Sequence, residues 1–340
     1  VPPINLYSDT QTRPSDGMRA AIAAAVVGDE QRGLDPTTLE LQERVASLLG
    51  HEAGLFLPSG TMCNEIALRI HARPGGDEVL LDRTAHPINS EAGGPAQLAG
   101  LMVHMLDGDR GVFSAAQLEA AVRPAGNRYM PRSRLVCVEQ TSNLGGGTVW
   151  PVSVVRSVLD VAARHGLRTH LDGARLMNAV VASGVAADEW AGGFDSAWLD
   201  FTKGLGAPVG AVLVGSREFI DEAWRWKQML GGALRQSGIV AAGCLYALEH
   251  NVSRLAVDHE NASVLARGLS ELPGVSVDPA AVETNIVIFS VDDGPGLVAR
   301  MADRVELQAF DQHRVRAVTH LDVTREDVER ALEAFADELG

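Results

Sequence analysis

Short apolar runs of strand length recur through the first two-thirds of the chain with helical patterns between several of them, and this alternation constrains the fold more than any other feature. Residues 53–57, 78–81, 101–106, 135–138, 168–171, 196–201 and 211–214 are the strand candidates. Residues 62–71, 115–122 and 152–165 carry apolar side chains at helical spacing. Such alternation predicts an α/β layered domain around a mostly parallel sheet over most of residues 17–243. Before it, residues 1–16 are polar and proline-rich and read as an extended arm, with Pro14, Ser15 and Asp16 opening a helix over 17–27. Residues 33–37 read as a turn, and Thr37 or Thr38 can cap the helix that follows. Beyond the layered region, Leu248, Val252, Leu255, Ala262, Leu265, Leu269 and Leu272 step by three, four or seven, which predicts one long amphipathic connector helix. Pro273 and Gly274 end it; strands at 286–289 and 315–318 and a helix at 328–339 complete a smaller α+β domain. The expected division is therefore 1–243 for the arm and large domain, and 244–340 for the connector helix and small domain.

Two of the strand candidates end in opposite charges. The run at 196–201 passes through Thr202 to Lys203 and then into glycines, while the run at 168–171 ends on Asp172. In an open α/β sheet, ligands bind outside the carboxyl ends of strands, so these two groups could face one crevice. A lysine able to form an imine and an acid able to pair with a pyridinium nitrogen are what pyridoxal phosphate chemistry asks of a protein. Upstream, residues 53–57 run into Ser59-Gly60-Thr61 and a helix. That arrangement is an ordinary N-cap or, with free N–H groups and the positive end of the helix dipole aimed together, a phosphate site.

Other function classes are disfavoured. The formal charge of -15 over 340 residues opposes nucleic acid and anionic membranes as partners. Cys63, Cys137 and Cys244 are odd in number and widely spaced, which suggests neither a disulfide framework nor a zinc site and fits a reducing cytoplasm. No signal-peptide pattern and no apolar run long enough to span a membrane is expected. Residues 204–210 imitate a dinucleotide fingerprint, but Pro208 interrupts it and the strand-like 211–214 follows where a helix would be required. No HExxH or GxxxxGK[ST] is present, and no metal centre is expected.

SDTQTRP at 8–14, PSGTMCN at 58–64, AH at 85–86, HLDGAR at 170–175, TKGLGAPVG at 202–210, MLGGALRQ at 229–236 and THLDV at 319–323 together resemble the L-threonine aldolases, with matching order and spacing along essentially the whole chain. The resemblance implies the aspartate-aminotransferase type of pyridoxal-phosphate fold and cleavage of a β-hydroxy-α-amino acid to glycine and an aldehyde. It also implies roles. Lys203 would carry the cofactor as a Schiff base, Asp172 would keep its ring nitrogen protonated, and His86 would stack on the ring. Gly60 and Thr61 would hold the phosphate, and Arg235 would reach the phosphate of a neighbouring subunit, making a homodimer or homotetramer necessary. Ser8, Arg175 and Arg316 would hold the amino-acid carboxylate, with Arg175 also near the cofactor.

Two stretches depart from the family pattern. Arg32 and Leu34 stand where the family usually has a tyrosine and an acid, and Ser142, in EQTSN at 139–143, stands where it usually has a histidine. A serine is a poor base for the β-hydroxyl. These changes lead us to expect an altered side-chain preference, with Arg32 and Ser142 at the substrate and plain L-threonine a poor one. A β-eliminating or otherwise repurposed lyase acting on a different β-substituted amino acid, acidic ones included, is the alternative within enzymes. A cofactor-free scaffold would have no need of Lys203 and Asp172.

Overall fold

The computed structural model describes residues 2–340. Seven strands form the central sheet: β1 (Ala53–Leu57), β2 (Asp77–Asp82), β3 (Met102–Leu106), β4 (Arg132–Glu139), β5 (Arg168–Gly173), β6 (Ser196–Asp200) and β7 (Ala211–Gly215). Their order is β1-β7-β6-β5-β4-β2-β3. Only β7 is antiparallel to its neighbours; the other pairings are parallel, as the alternating pattern requires. Every residue of β2, β6 and β7 is buried, the condition of strands covered on both faces. The chain passes outward from β2 to β3, then crosses back to β4 and continues in the opposite direction through β5, β6 and β7. The loops after β2 and β4 therefore diverge, and a crevice opens at the carboxyl ends there.

Helix caps follow from local chemistry. Ser59 Oγ accepts from Met62 N at the start of Gly60–His71, and Asp35 accepts from Thr38 N at the start of Pro36–Leu48. The first helix is shorter than its pattern suggests and spans Asp16–Ala23. After it the chain is drawn onto the following turn, where Thr37 Oγ1 donates to Val26 O and Gly28 N donates to Asp35.

The single long connector helix is corrected. Two helices, Gly238–His250 and Leu255–Ser270, stand where one was expected. The break at residues 251–254 is four residues long, close to one helical turn, so the apolar spacing continues through it undisturbed. Asn251 Nδ2 donates to Leu205 O at 2.7 Å, which ties the break to the loop carrying Lys203.

Strands β8 (Ile286–Ser290), β9 (Gln308–Ala309) and β10 (Arg314–Val318) form an antiparallel sheet in the order β9-β10-β8. Its core takes Leu265, Leu269, Phe289, Val315 and Phe335, together with Ile4 and Leu6 from the N-terminal arm. Ile4–Asn5 pairs in parallel with Val305–Glu306, so the arm is anchored at the far end of the sequence.

A buried ion pair joins the helix Arg217–Met229 to the short turn Glu30–Arg32. Lys227 Nζ donates to Glu30, both side chains being shut off from solvent, and Glu30 Oε2 also accepts from Leu234 N. Removing one partner strands the other charge in the interior. Glu30→Ala is expected to lower the unfolding free energy by about 3–5 kcal/mol in denaturant titration, and a Glu30→Leu, Lys227→Met double variant to recover most of it.

Candidate active site

The parallel register sets three side chains in a row. Glu139 on β4 is opposite Asp172 on β5, which is opposite Trp198 on β6, so all three project from one face of the sheet. Asp200, two residues after Trp198, projects the same way. The loop leaving β6 is closed by Gly206 N to Lys203 O and Ala207 N to Phe201 O, with Gly206 at φ +75, and Thr12 Oγ1 of the arm clasps Lys203 O at 2.9 Å. Lys203 Nζ thereby reaches Asp200 Oδ2 at 3.2 Å and stands 5.7 Å from the Trp198 ring centre. These groups open into a cavity of about 410 Å³.

Asp172 is buried and doubly held, Oδ1 by Ala174 N at 2.9 Å and Oδ2 by Asn64 Nδ2 at 2.8 Å. Burial pushes its carboxyl above the usual range, opposed by the charge of His86, the Asn64 bond and the charge of Lys203. Asn64 is central to a larger network. Its Nδ2 also donates to Glu91 Oε1, and its Oδ1 accepts from Trp198 Nε1 at 2.7 Å. Glu91 Oε1 in turn binds His86 Nδ1 at 2.7 Å. Burial alone would lower the affinity of His86 for a proton, but the Glu91 bond and the charges of Asp172, Glu91 and Glu139 outweigh it and move the imidazole upward. Glu139, pushed up to about 7 by burial and by Asp172, accepts from His86 N and Asn143 N.

The opposite wall is basic. Arg175 gives Nε and Nη2 to Asp9 at 2.7 and 2.6 Å, a buried two-pronged pair that leaves Nη1 as its free edge. Asp9 lies well below the usual carboxylate range because the Arg175 charge and bonds overcome its burial. Arg316 donates to Asn143 Oδ1 at 2.8 Å, to Gln308 Oε1 and to Tyr7 O, while its buried Nε has no acceptor among the described residues. Burial and the nearby Arg175 push Arg316 down to about 10. Ser8 is buried on the same side and lines the cavity with both arginines. At the helix start, Gly60 and Thr61 line the cavity with N–H groups that take no intrahelical bond. A Cβ at residue 60 would strike the Trp198 ring, so glycine lets the helix end settle on that ring.

Lys203, His86, Asp172, Gly60, Thr61, Ser8, Arg175 and Arg316 are thus brought to one cavity. Ser142, Arg32 and Arg235 are not. Ser142 is buried, with its hydroxyl turned toward Gly111 and Gly145 beneath the cavity wall, and its neighbour Asn143 faces the cavity instead. Adjacent residues of an extended segment point oppositely, and Ser142 N is held by Thr148 O in the inward orientation. Arg32 and Arg235 are exposed, on loops joined by Glu30 N to Arg235 O. The expectation that plain L-threonine is a poor substrate rested on Ser142 and Arg32, and within one chain neither supports it. Asn64, Glu91, Asp9, Asn143 and Trp198 join the site only in the folded structure. Asn64 had a signal, four residues and one helical turn beyond Gly60; Glu91 had none.

Comparison with known proteins accords with this geometry. Residues 5–292 match the family described as beta-eliminating lyase. Low-specificity L-threonine aldolase 1 of Arabidopsis thaliana is 39% identical over 340 residues, spanning 98% of this chain and 95% of the relative. The low specificity L-threonine aldolase of Escherichia coli strain K12 is 38% identical over 327 residues, 96% of each chain. The solved threonine aldolase of Leishmania major has the same fold, with a TM-score of 0.85 at 19% identity over 99% of this chain and 100% of that one. On the matched length, the shared sequence and the shared fold, this chain belongs to the beta-eliminating lyase family, with the L-threonine aldolases.

Proposed function

We propose that the protein is a pyridoxal-phosphate-dependent aldolase that cleaves an L-β-hydroxy-α-amino acid of the threonine kind to glycine and an aldehyde. The observation that carries this reading is the placement of Lys203 and Asp172 on one cavity, at the ends of neighbouring parallel strands, beside the free helix start at Gly60. The residues fit the cofactor and an amino-acid substrate: an amine, an acid for the ring nitrogen and N–H groups for a phosphate, with the unpartnered Arg316 Nε on the side of the substrate carboxylate. When bound, pyridoxal phosphate supplies an aldehyde that condenses with an amino group and a protonated ring that takes up the electron pair of the breaking Cα–Cβ bond.

The chain's own residues would do the rest. Lys203 Nζ would hold the cofactor, and Asp172 would keep a proton on the ring nitrogen, held in place by Asn64 and Ala174 N. Gly60 and Thr61 N–H groups would bind the phosphate. Arg316, Ser8 and the free edge of Arg175 would fix the substrate carboxylate, with Asp9 preventing Arg175 from swinging away. His86, bound at Nδ1 by Glu91, leaves Nε2 free to take the β-hydroxyl proton directly or through a water. The β-eliminating alternative is set aside because relatives at 38–39% identity carry the aldolase name. Purified protein mixed with pyridoxal phosphate should show a cofactor absorbance band that borohydride bleaches, and should release glycine from threonine. Absence of both overturns the reading.

A base that titrates upward gives a signed pH dependence. His86 must be neutral to accept the proton, and its folded value lies above the ordinary 6.5, so kcat/KM should rise with pH through a limb above 6.5. His86→Gln should flatten that limb and lower kcat/KM by about 10²–10⁴-fold. A limb unchanged in the variant would assign the base elsewhere.

We also place the protein in the cytoplasm as a homo-oligomer whose small domain, from residue 244, carries Arg316. Arg235 would complete the phosphate site of a neighbouring subunit, which suits its exposure outside its own cavity. Val26, Val27, Leu34, Met229 and Ile239, exposed apolar residues on the helix and loops around it, favour a covered face there. No helix of the described residues is long and apolar enough to cross a membrane.

A further inference from the structure

Behind His86 lies a second acid that the proposed chemistry does not use. Glu65, one residue after Asn64 on the helix Gly60–His71, is buried with its carboxyl packed over Gly94, where a Cβ would strike it. Its carboxyl adjoins that of Glu91. Glu91 Oε1 is satisfied by Asn64 Nδ2 and His86 Nδ1, each at 2.7 Å. Glu91 Oε2 and both oxygens of Glu65 have no N–H or O–H donor among the described residues.

Two carboxylates placed together in the interior without donors cannot both stay ionised, and a proton held between them satisfies both. The surroundings enforce this. Glu91 faces Glu65, while Asp172 and Glu139 stand around the same His86; the other imidazole of the network, His170, reaches Asn64 Oδ1 at 3.1 Å and is pushed down to about 3 by burial, which leaves it neutral. The nearby thiols of Cys63 and Cys137 are pushed up by burial and by these acids, and remain neutral. Burial first, then the charge and hydrogen bond of Glu91, raise Glu65 from 4.5 to about 8.

We propose that Glu65 is a neutral carboxylic acid at physiological pH that donates its proton to Glu91 Oε2, and so positions the Glu91 carboxylate that holds His86 Nδ1. Glu65 is a positioning residue, acting on His86 through Glu91. The shared proton leaves the pair with one negative charge instead of two, so His86 is held as an Nδ1 donor without being locked as a cation. The catalytic meaning of that control rests on the aldolase reading; the proton itself does not.

The test uses the intact chain and needs no turnover. Infrared difference spectra, wild type minus Glu65→Gln, should show at pH 7 the carbonyl stretch of one protonated carboxylic acid over the background of the other raised acids, Glu139 among them. The linkage sign is fixed: an acid whose folded value of about 8 exceeds its unfolded 4.5 holds more protons when folded, so stability falls as pH rises between those values. Glu65→Gln, equal in shape and permanently neutral, lacks that loss, and its Tm should gain on the wild type steadily from pH 5 to pH 8. By NMR titration, His86 in Glu65→Gln should keep its wild-type midpoint. In Glu65→Leu, where Glu91 Oε2 has no donor, the midpoint should rise by about one pH unit, tenfold in proton affinity. Parallel Tm curves for wild type and Glu65→Gln, with no infrared difference, would overturn the shared proton. Identical His86 midpoints in the Gln and Leu variants would overturn the positioning role. If these signals appear while the protein fails to cleave any β-hydroxy amino acid, the aldolase reading falls and the proton stands.

Discussion

Lys203→Ala is expected to stop turnover, with a fall in kcat/KM on the order of 10⁴-fold or more, and to abolish borohydride-trappable attachment of the cofactor. The fold should survive the change. Lys203 Nζ makes one hydrogen bond, to Asp200 Oδ2, and Asp200 keeps the Thr202 hydroxyl as a donor at 3.0 Å when the amine is gone. The loop itself is closed by main-chain bonds and by Thr12 and Asn251, none of which depends on the lysine side chain. Lys203→Arg separates charge from chemistry. A guanidinium keeps the positive charge beside Asp200 and the Trp198 ring but stays protonated at neutral pH and cannot condense with an aldehyde. Circular dichroism and Tm should match the wild type in both variants, and a near wild-type rate in either would remove Lys203 from the site.

Asp172→Asn should cost about 10²–10⁴-fold in kcat/KM, because an amide cannot hold the proton on the ring nitrogen that makes the ring an electron sink. Three further effects mark it as more than local damage. Both carboxylate oxygens accept hydrogen bonds, from Ala174 N and Asn64 Nδ2, so one amide N–H₂ would face a donor and stability should drop by about 1–3 kcal/mol. The charge of Asp172 helps to raise His86, so its loss should move the acid limb of the pH profile to lower pH. It also helps to raise Glu139, which should ionise at lower pH in the variant. A variant with wild-type turnover and an unmoved limb would show that Asp172 neither protonates the ring nor couples to His86.

The site residues differ in how far sequence could reach them. Lys203 and Asp172 were legible because a strand's end is written in one dimension: an apolar run stops on a charge, and parallel strands in a covered sheet present those stops on one edge. Gly60 and Thr61 were legible for the same reason, as a strand, a turn with hydroxyls and a helix start. Ser142 and Arg32 lie outside the cavity of their own chain, because a motif match assigns a position but not a direction. Ser142 points under the wall because its N–H is held by Thr148 O, a bond six residues away that no local pattern announces. Asp9, Glu91 and Glu65 depend on contacts across long stretches of chain. Asp9 meets Arg175 and Asn285, 166 and 276 residues distant, and the SDTQTRP stretch that contains it names neither partner.

By itself the sequence determined the layered α/β class, the parallel core of the sheet and the amine and acid at its carboxyl edge, since these follow from hydrophobic period and from where each period stops. It did not determine that the connector is two helices, because a four-residue turn preserves a helical step, and the break is seen only in the folded main chain, where Leu255 N turns back to Val252 O and Asn251 is tied to Leu205. Nor did it determine the protonation of the site. Whether Glu65, Glu91, Glu139 and Asp172 hold protons depends on how much water the packed sheet excludes and on which carboxyls are pressed together, and those are properties of the folded arrangement, where a charge's cost is set by its neighbours in space.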